Sequence, residues 1–157
     1  MHNTKIDIKN DTRETIIELL NARLADSIDL KSQAKQGHWN LKGMNFIALH
    51  ELFDQVATDI EEYTDTIAER VTILGGTAEG TVRVSAEKSR LSQYPMEITD
   101  GRDHVEALSS ALAEFAKQTR ANIDDADHAG DAVTADLFTE VARGTDKLLW
   151  FVEAHIQ

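Results

Sequence analysis

Cysteine is absent from this 157-residue chain, proline occurs once, and aromatic residues make up only 6% of it. Without cysteine the chain can form neither a disulfide nor a thiolate metal site, which fits a reducing compartment. No apolar run approaches the roughly 18 residues that a membrane-spanning helix needs. The first residues, Met1 to Lys5, also lack the apolar segment of a secretory signal peptide. We expect one cytoplasmic domain over residues 1–157, with residues 1–10 as a flexible tail.

Positive charge is scarce as well. The chain has 16 lysine and arginine residues against 28 aspartate and glutamate residues, for a formal net charge of -12. A general electrostatic attraction to nucleic acid is therefore not expected, because phosphate groups carry the same sign of charge.

The longest uninterrupted pattern lies between Asn45 and Leu74, a stretch with neither proline nor glycine. Apolar residues recur there in steps of three and four, at Phe46, Leu49, Phe53, Val56, Ile60, Tyr63, Ile67, Val71 and Leu74. This spacing is typical of one long amphipathic helix.

Three more helices are predicted around it. The first follows the capping-box spacing of Asp11 to Glu14 and runs to about His38. The third begins at a cap provided by Thr99 or Asp100, and the fourth follows Gly130. Gly144 lies inside the fourth helix, where glycine costs about 1 kcal/mol relative to alanine, so we expect a close backbone contact at that position.

Residues 74–99, between the second and third helices, contain three glycines, the only proline and little periodicity. A connection of this length is predicted to cross the bundle, with a surface lid as the alternative, and Ala86 to Leu91 is predicted to form a short helix within it. The predicted fold class is all-α: a four-helix bundle with one long crossover between helices 2 and 3.

The long helix carries a second face away from its apolar stripe. At about 100° per residue, four metal-binding side chains fall within roughly one quadrant of the helical wheel: His50, Asp54, Asp65 and Glu69. They form two i,i+4 pairs, and each pair can point at one ion. The pairs are about 16 Å apart along the axis, so one ion cannot touch both pairs in a single copy.

Two copies packed antiparallel through this face would bring the first pair of one chain opposite the second pair of the other. A twofold axis would then create two equivalent sites, and His38, at the end of the preceding helix, could join His50 on the same ion. Spacing alone leaves an alternative open, namely a solvated face with a few charges. No glutamate is followed by histidine three residues later, so the Glu-x-x-His motif of intrachain di-iron sites is absent.

Several motifs resemble those of one known family. They are His38-Trp39-Asn40, Asn45 to Glu51, Asp65 to Arg70, Leu74-Gly75-Gly76, Tyr94-Pro95 and Asp146 to Phe151. Together they cover nearly the whole chain, and they resemble the DNA-binding proteins from starved cells (Dps). The resemblance implies a ferritin-like four-helix bundle.

The resemblance also implies an intersubunit ferroxidase site. In the family, one subunit supplies two histidines and an aspartate, and its twofold mate supplies an aspartate and a glutamate. The matching positions here hold the family's residues, His38, His50, Asp54, Asp65 and Glu69. A homododecamer is implied, in which hydrogen peroxide or dioxygen oxidises Fe(II) at the twofold interfaces and Fe(III) is mineralised in the cavity.

Most of the other candidate residues have two possible interpretations. Trp39 is expected, by resemblance, to be an oxidisable ring at the catalytic site, and packing at a subunit contact is its alternative role. Glu61 lies on the same second face of the long helix, either as an auxiliary ligand or as a solvent-facing carboxylate. The predicted turn before the fourth helix holds Asp124, Asp125, Asp127, His128 and Asp131. It is either a solvated loop or, with Asp136, an acidic threefold pore mouth. His104 and His155 are interpreted as structural.

Two further functions remain open at the level of sequence. One is DNA compaction in the nucleoid, which many relatives achieve with a lysine-rich terminal arm. This N-terminus has only Lys5 and Lys9, offset by Asp7, and the C-terminus has no basic tail, so DNA binding is the weaker hypothesis. The other is a helical bundle that buffers metal without turnover.

Overall fold

A computed structural model describes all 157 residues and contains five α-helices and no strand. The helices are α1 (Asn10–Asn40), α2 (Phe46–Ile73), α3 (Val82–Lys88), α4 (Gly101–Ala129) and α5 (Ala132–Glu153). None of them combines the length and hydropathy that would be needed to cross a bilayer. The predicted all-α architecture, with four long helices and a crossover between the second and third, is confirmed.

Contacts between helix ends define the direction of each helix. The backbone N–H of Gly101, at the start of α4, donates to the carbonyl of Lys42, just before α2. The Thr12 hydroxyl, at the start of α1, donates to the carbonyl of Ala129, at the end of α4, across 3.1 Å. Therefore α2 and α4 begin at the same end of the bundle, and α1 runs antiparallel to both. A short turn joins α1 to α2, whereas the crossover that contains α3 returns the chain along the length of the bundle.

The core is one cluster of 26 buried residues drawn from all four long helices and the crossover. Phe53, Phe115 and Phe138 are completely buried within it. The apolar stripe predicted for α2 faces this core at most of its positions, because residues three and four apart share a helix face. Phe46 is the exception, since 41% of its surface is exposed at the start of the helix.

The predicted helix boundaries are wrong at three places. α1 begins at Asn10 with Lys9 as its N-cap and has no side-chain cap, so Asp11 to Glu14 do not form the predicted capping box. α3 begins at Val82, four residues earlier than predicted, because the Thr81 hydroxyl accepts a bond from the Val84 N–H and caps it there. The turn predicted before the fourth helix is shorter than expected, because α4 extends to Ala129 and includes Asp124, Asp125 and Asp127 before it ends at the left-handed Gly130.

The N-terminal segment contacts the rest of the chain. The His2 N–H donates to the Gly75 carbonyl across 2.7 Å, and Ile8 packs against the core. Its flexibility stays a prediction. The close contact expected at Gly144 is present, but the partner is a side chain: a Cβ there would lie 1.8 Å from the Tyr63 hydroxyl oxygen.

A buried ion pair lies within α1, at positions that the apolar pattern does not reveal. The side chains of Arg23 and Asp26 are 1% and 0% exposed, and Nη1 lies 2.9 Å from Oδ2, at an angle outside hydrogen-bonding range. Asp26 also accepts a 2.7 Å bond from the backbone N–H of Arg90 in the crossover. Burial raises the pKa of Asp26, opposed by Arg23. The carboxylate of Asp26 thus links α1 to the crossover through a hydrogen bond rather than through apolar packing.

Asp131 is occupied within the chain and is not free for a pore. Its carboxylate accepts two 2.9 Å bonds from Arg70, and it caps α5 by accepting from the Thr134 N–H and hydroxyl. Burial alone would raise the pKa of Asp131, but the bonds from Thr134 and Arg70 together bring that pKa below its ordinary value. The weak assignment of Asp131 to a pore mouth is therefore wrong, because its lone pairs are already used. Asp136, on the exposed surface of α5, keeps that role only as a prediction.

We expect Asp131→Asn to lower the free energy of unfolding by about 1–3 kcal/mol at pH 7, because a hydrogen-bonded charge is lost while a capping oxygen remains. A folded-state pKa below the unfolded value gives stability above the unfolded pKa, near 3.9, that is lost as the pH falls through the folded pKa. The difference between variant and wild type should therefore shrink from pH 7 to pH 3 in denaturant titrations. Asp136→Asn is the control, and a difference that stays constant with pH would contradict the assignment.

Candidate metal centre

Two predicted ligands meet where α1 ends and α2 begins. His38 lies in the last turn of α1 and His50 in the second turn of α2, so the short antiparallel connection brings them together. Their rings stack with centroids 3.7 Å apart and an interplanar angle of 19°. The predicted pairing of His38 with His50 is therefore present within one chain.

Reciprocal hydrogen bonds hold the two rings. Nδ1 of His38 lies 2.8 Å from the His50 carbonyl, and Nδ1 of His50 lies 2.8 Å from the His38 carbonyl. A carbonyl oxygen can only accept, so both Nδ1 atoms must carry the proton. In the neutral ring the lone pair is then on Nε2, which is the arrangement in which a metal-binding histidine is oriented by a backbone acceptor.

Gly37 permits this close approach. A Cβ at this position would lie 2.5 Å from the Phe53 ring and 2.7 Å from the Tyr94 hydroxyl oxygen. Real Cβ atoms do not come so close, so a side chain would push the end of α1 away from α2. The sequence marks Gly37 only as a residue near a helix end, and its packing role becomes visible once the two helices are placed together.

Asp54, one turn after His50, is paired with Lys35 of α1 across 2.5 Å. The hydrogen bond from Lys35 is the main cause that lowers the pKa of Asp54, so this exposed carboxylate is ionised. The Lys35 ammonium also lies 5.8 Å from the centre of the Trp39 ring. Glu61 forms a similar pair with Lys31, one turn earlier on α1. A cation bound through Oδ1 of Asp54 would compete with Lys35.

Asp65 and Glu69 lie further along α2 with exposed side chains and no side-chain partner. No group of three or more histidine or acidic side chains within one chain is placed to hold a metal ion. The structure thus brings His38 and His50 together. Asp54 lies one turn away, where its carboxylate is paired with Lys35. Asp65 and Glu69 lie apart from these three residues. This is the separation that the helical rise predicts. Below, the set of His38, His50 and Asp54 is called the histidine half, and Asp65 with Glu69 the carboxylate half.

Large apolar side chains beside the histidine half are exposed. Trp39 is 66% exposed, and it is accompanied by Met44, Phe46 and Ile47. We call these four residues the corner patch. These residues surround the turn between α1 and α2, and grouped exposed apolar side chains are a feature of protein contact surfaces.

Comparison with known proteins defines the class of the chain. Residues 17–157 match the family described as the ferritin-like domain. The chain is 48% identical, over 99% of its length and 96% of the relative's, to the DNA protection during starvation protein of Agrobacterium fabrum. It is 31% identical, over 96% of its length and 100% of the relative's, to the protein of that name from Brevibacillus brevis. The solved Dps of Mycobacterium smegmatis has a TM-score of 0.94 and 29% identity, and the match covers 100% of this chain and 94% of that one.

The chain is thus a ferritin-like protein by fold and by family match. Within that class it belongs to the DNA protection during starvation (Dps) family. The family resemblance and the ferritin-like fold predicted from the sequence are both confirmed. The five metal ligands and the role of Trp39 stay predictions.

Proposed function

We propose that this protein oxidises Fe(II) at sites shared between two copies of the chain and stores the Fe(III) product in a hollow homododecamer. The observation that carries this proposal is the His38–His50 pair, whose Nδ1 atoms are bonded to backbone carbonyls so that Nε2 is the ring nitrogen left to bind a metal. Imidazole and carboxylate oxygen suit Fe(II), and carboxylates stabilise Fe(III) once it forms. Iron is the substrate and cargo of this reaction.

The two halves of the site have complementary roles. The histidine half would bind Fe(II) through two Nε2 atoms and the Asp54 carboxylate, after Fe(II) replaces the Lys35 ammonium as its counter-ion. The carboxylate half of a second copy, Asp65 and Glu69, would complete the coordination and favour the ferric product. These few ligands leave coordination positions for hydrogen peroxide or dioxygen as the electron acceptor. Trp39, next to His38, would supply an oxidisable ring beside the reaction.

Two features support a site between copies. One chain holds no complete set of ligands, and about 16 Å separates the two halves along α2. The corner patch beside the histidine half exposes apolar surface that a second copy would cover. A twofold axis would create two equivalent sites for each pair of chains. Family membership supports assembly of such pairs into a shell, and twelve chains is our proposal for its size.

DNA compaction is not proposed as a second function. The relatives are named for DNA protection, and removing Fe(II) together with peroxide would protect DNA without any contact. The net charge of -12 argues against phosphate binding.

Light scattering of the native assembly before and after Fe(II) loading tests the proposal. We expect a mass of about twelve chains that increases when Fe(II) is added with hydrogen peroxide or air, and that stays constant when Fe(II) is added without an oxidant. A monomer, or a shell that gains no mass, would contradict the proposed storage function.

A further inference from the structure

A buried tyrosine–histidine pair lies outside the metal centre. Tyr94 of the crossover is 6% exposed and His104, in the first turn of α4, is 1% exposed. The Tyr94 hydroxyl oxygen lies 2.7 Å from Nδ1 of His104, and the two rings stack with centroids 5.9 Å apart. The histidine predicted to be structural therefore has one specific partner, and that partner can be oxidised.

The position of the proton follows from the surroundings. Burial raises the pKa of the Tyr94 phenol, so the phenol is neutral and keeps its proton. Burial also lowers the pKa of His104, which the nearby Asp103 carboxylate partly opposes, so the imidazole is neutral as well. We assign the phenol O–H as the donor and Nδ1 of His104 as the acceptor, because the phenol proton has no other partner. A proton acceptor is thus already in place for the phenol.

The pair lies directly behind the histidine half. The Tyr94 hydroxyl packs against Gly37, where a Cβ would be only 2.7 Å from the phenol oxygen. Gly37 is the residue before His38, whose ring is fixed by the carbonyl of His50. The backbone of Gly37 lies between Tyr94 and His38. One electron can cross so short a distance.

We propose that Tyr94 is a one-electron relay of this protein, and that its phenol proton moves to Nδ1 of His104 when the electron leaves. The proposal rests on the proposed iron oxidation, which supplies the oxidant. Reduction of hydrogen peroxide by one Fe(II) gives Fe(III), hydroxide and a hydroxyl radical. The phenol then gives one electron to that radical, forming a second hydroxide, and gives its proton to His104, leaving a neutral tyrosyl radical beside an imidazolium.

A second Fe(II) completes the cycle. It gives one electron to the tyrosyl radical and becomes Fe(III), while the proton returns from Nδ1 to the phenol oxygen. The sum is two Fe(II) and one hydrogen peroxide giving two Fe(III) and two hydroxide ions, with Tyr94 and His104 restored. The pair therefore holds one oxidising equivalent within the protein until a second Fe(II) arrives.

The chain contains a matched control for this chemistry. It has only two tyrosines, and the other, Tyr63, places its hydroxyl against Gly144. No side-chain or backbone acceptor is hydrogen-bonded to the Tyr63 hydroxyl, in contrast to the 2.7 Å bond of Tyr94. Oxidation of Tyr63 would therefore release a proton with no hydrogen-bonded base to receive it, so Tyr63→Phe should leave the relay intact.

Freeze-quench electron paramagnetic resonance of the Fe(II)-loaded assembly, mixed with limiting hydrogen peroxide, tests the relay. We expect a tyrosyl radical in wild type and in Tyr63→Phe, identified by narrowing of its lines when the tyrosine rings are deuterated. The signal should be lost in Tyr94→Phe and in His104→Gln. Fe(III) is measured in the same samples, so absence of any iron oxidation in wild type identifies a failure of the proposed function instead.

An iron-free experiment tests the Tyr94–His104 pair independently of iron oxidation. Flash-generated tris(bipyridyl)ruthenium(III) should produce a phenoxyl radical in Tyr63→Phe and none in Tyr94→Phe. Such a radical would support the pair even if iron oxidation had failed in wild type. Normal iron oxidation with no tyrosyl signal in wild type, a signal that persists in Tyr94→Phe, or no phenoxyl in iron-free Tyr63→Phe would each overturn the proposal.

Discussion

The His50→Ala/Asp54→Ala variant is expected to oxidise Fe(II) with peroxide at least about a hundredfold more slowly than wild type. Loss of outer partners of a metal ligand alone costs about 10–100-fold, and this variant loses two of the three members of the histidine half. Stopped-flow formation of Fe(III) measures the effect. Glu51→Ala/Gln55→Ala changes another exposed i,i+4 pair, one residue further along α2, and should behave as wild type. A wild-type rate of Fe(III) formation in His50→Ala/Asp54→Ala would rule out the assigned ligands.

Mixing of variants tests whether the site is shared. The variant Asp65→Ala/Glu69→Ala, which lacks the carboxylate half, should be as inactive as the variant that lacks the histidine half. Random co-assembly of the two makes half of the twofold pairs mixed, and each mixed pair has one intact site out of two. Activity should then return to about one quarter of the wild-type value. If verified mixed assemblies recovered no activity, either all five ligands would belong to a site within one chain or some of them would not be ligands.

Asp26→Ala is expected to lower the free energy of unfolding by about 3–5 kcal/mol, because it leaves the buried Arg23 charge without its partner. The N–H of Arg90 would also lose its acceptor. Denaturant titration at one fixed protein concentration measures the change. The double replacement Arg23→Met/Asp26→Leu removes both charges and keeps the volume filled, so it should recover most of that loss even though the Arg90 N–H stays unpaired.

This comparison separates charge from packing. A surface substitution such as Asp59→Ala typically changes stability by about 0.5 kcal/mol or less. Asp26→Ala would contradict the buried ion pair if its effect were as small as that of Asp59→Ala. A double variant as unstable as Asp26→Ala would instead show that the shape of the pair matters more than its charge.

The sequence was sufficient to predict most of the fold. Steps of three and four in the apolar pattern define a helix face wherever the core is apolar, which is why Leu49, Phe53 and Ile60 were placed correctly. The same rule fails at Arg23 and Asp26, because charged residues count as surface until a partner from another part of the chain is known. Helix ends were predicted less well, since the cap of α3 and the left-handed Gly130 at the end of α4 depend on local hydrogen bonds.

The candidate site was predictable in its list of residues and only partly in its geometry. Periodicity placed the two halves on one face of α2 and at a distance from each other. It could not reveal that Lys35 pairs with Asp54, because that contact joins residues 19 positions apart on different helices. Nor could it reveal that Gly37 has to be a glycine, since its neighbours Phe53 and Tyr94 come from other elements.

The reciprocal bonds between His38 and His50 have a thermodynamic consequence. Each ring is held by the backbone of the opposite helix, so both imidazoles keep their orientation only while the α1–α2 hairpin is closed. At the proposed site, metal binding and hairpin closure would therefore be linked equilibria, and each would strengthen the other by the same factor. Opening of this corner would release both nitrogen ligands in one step, whereas a bound ion would protect the amides of the corner from hydrogen exchange.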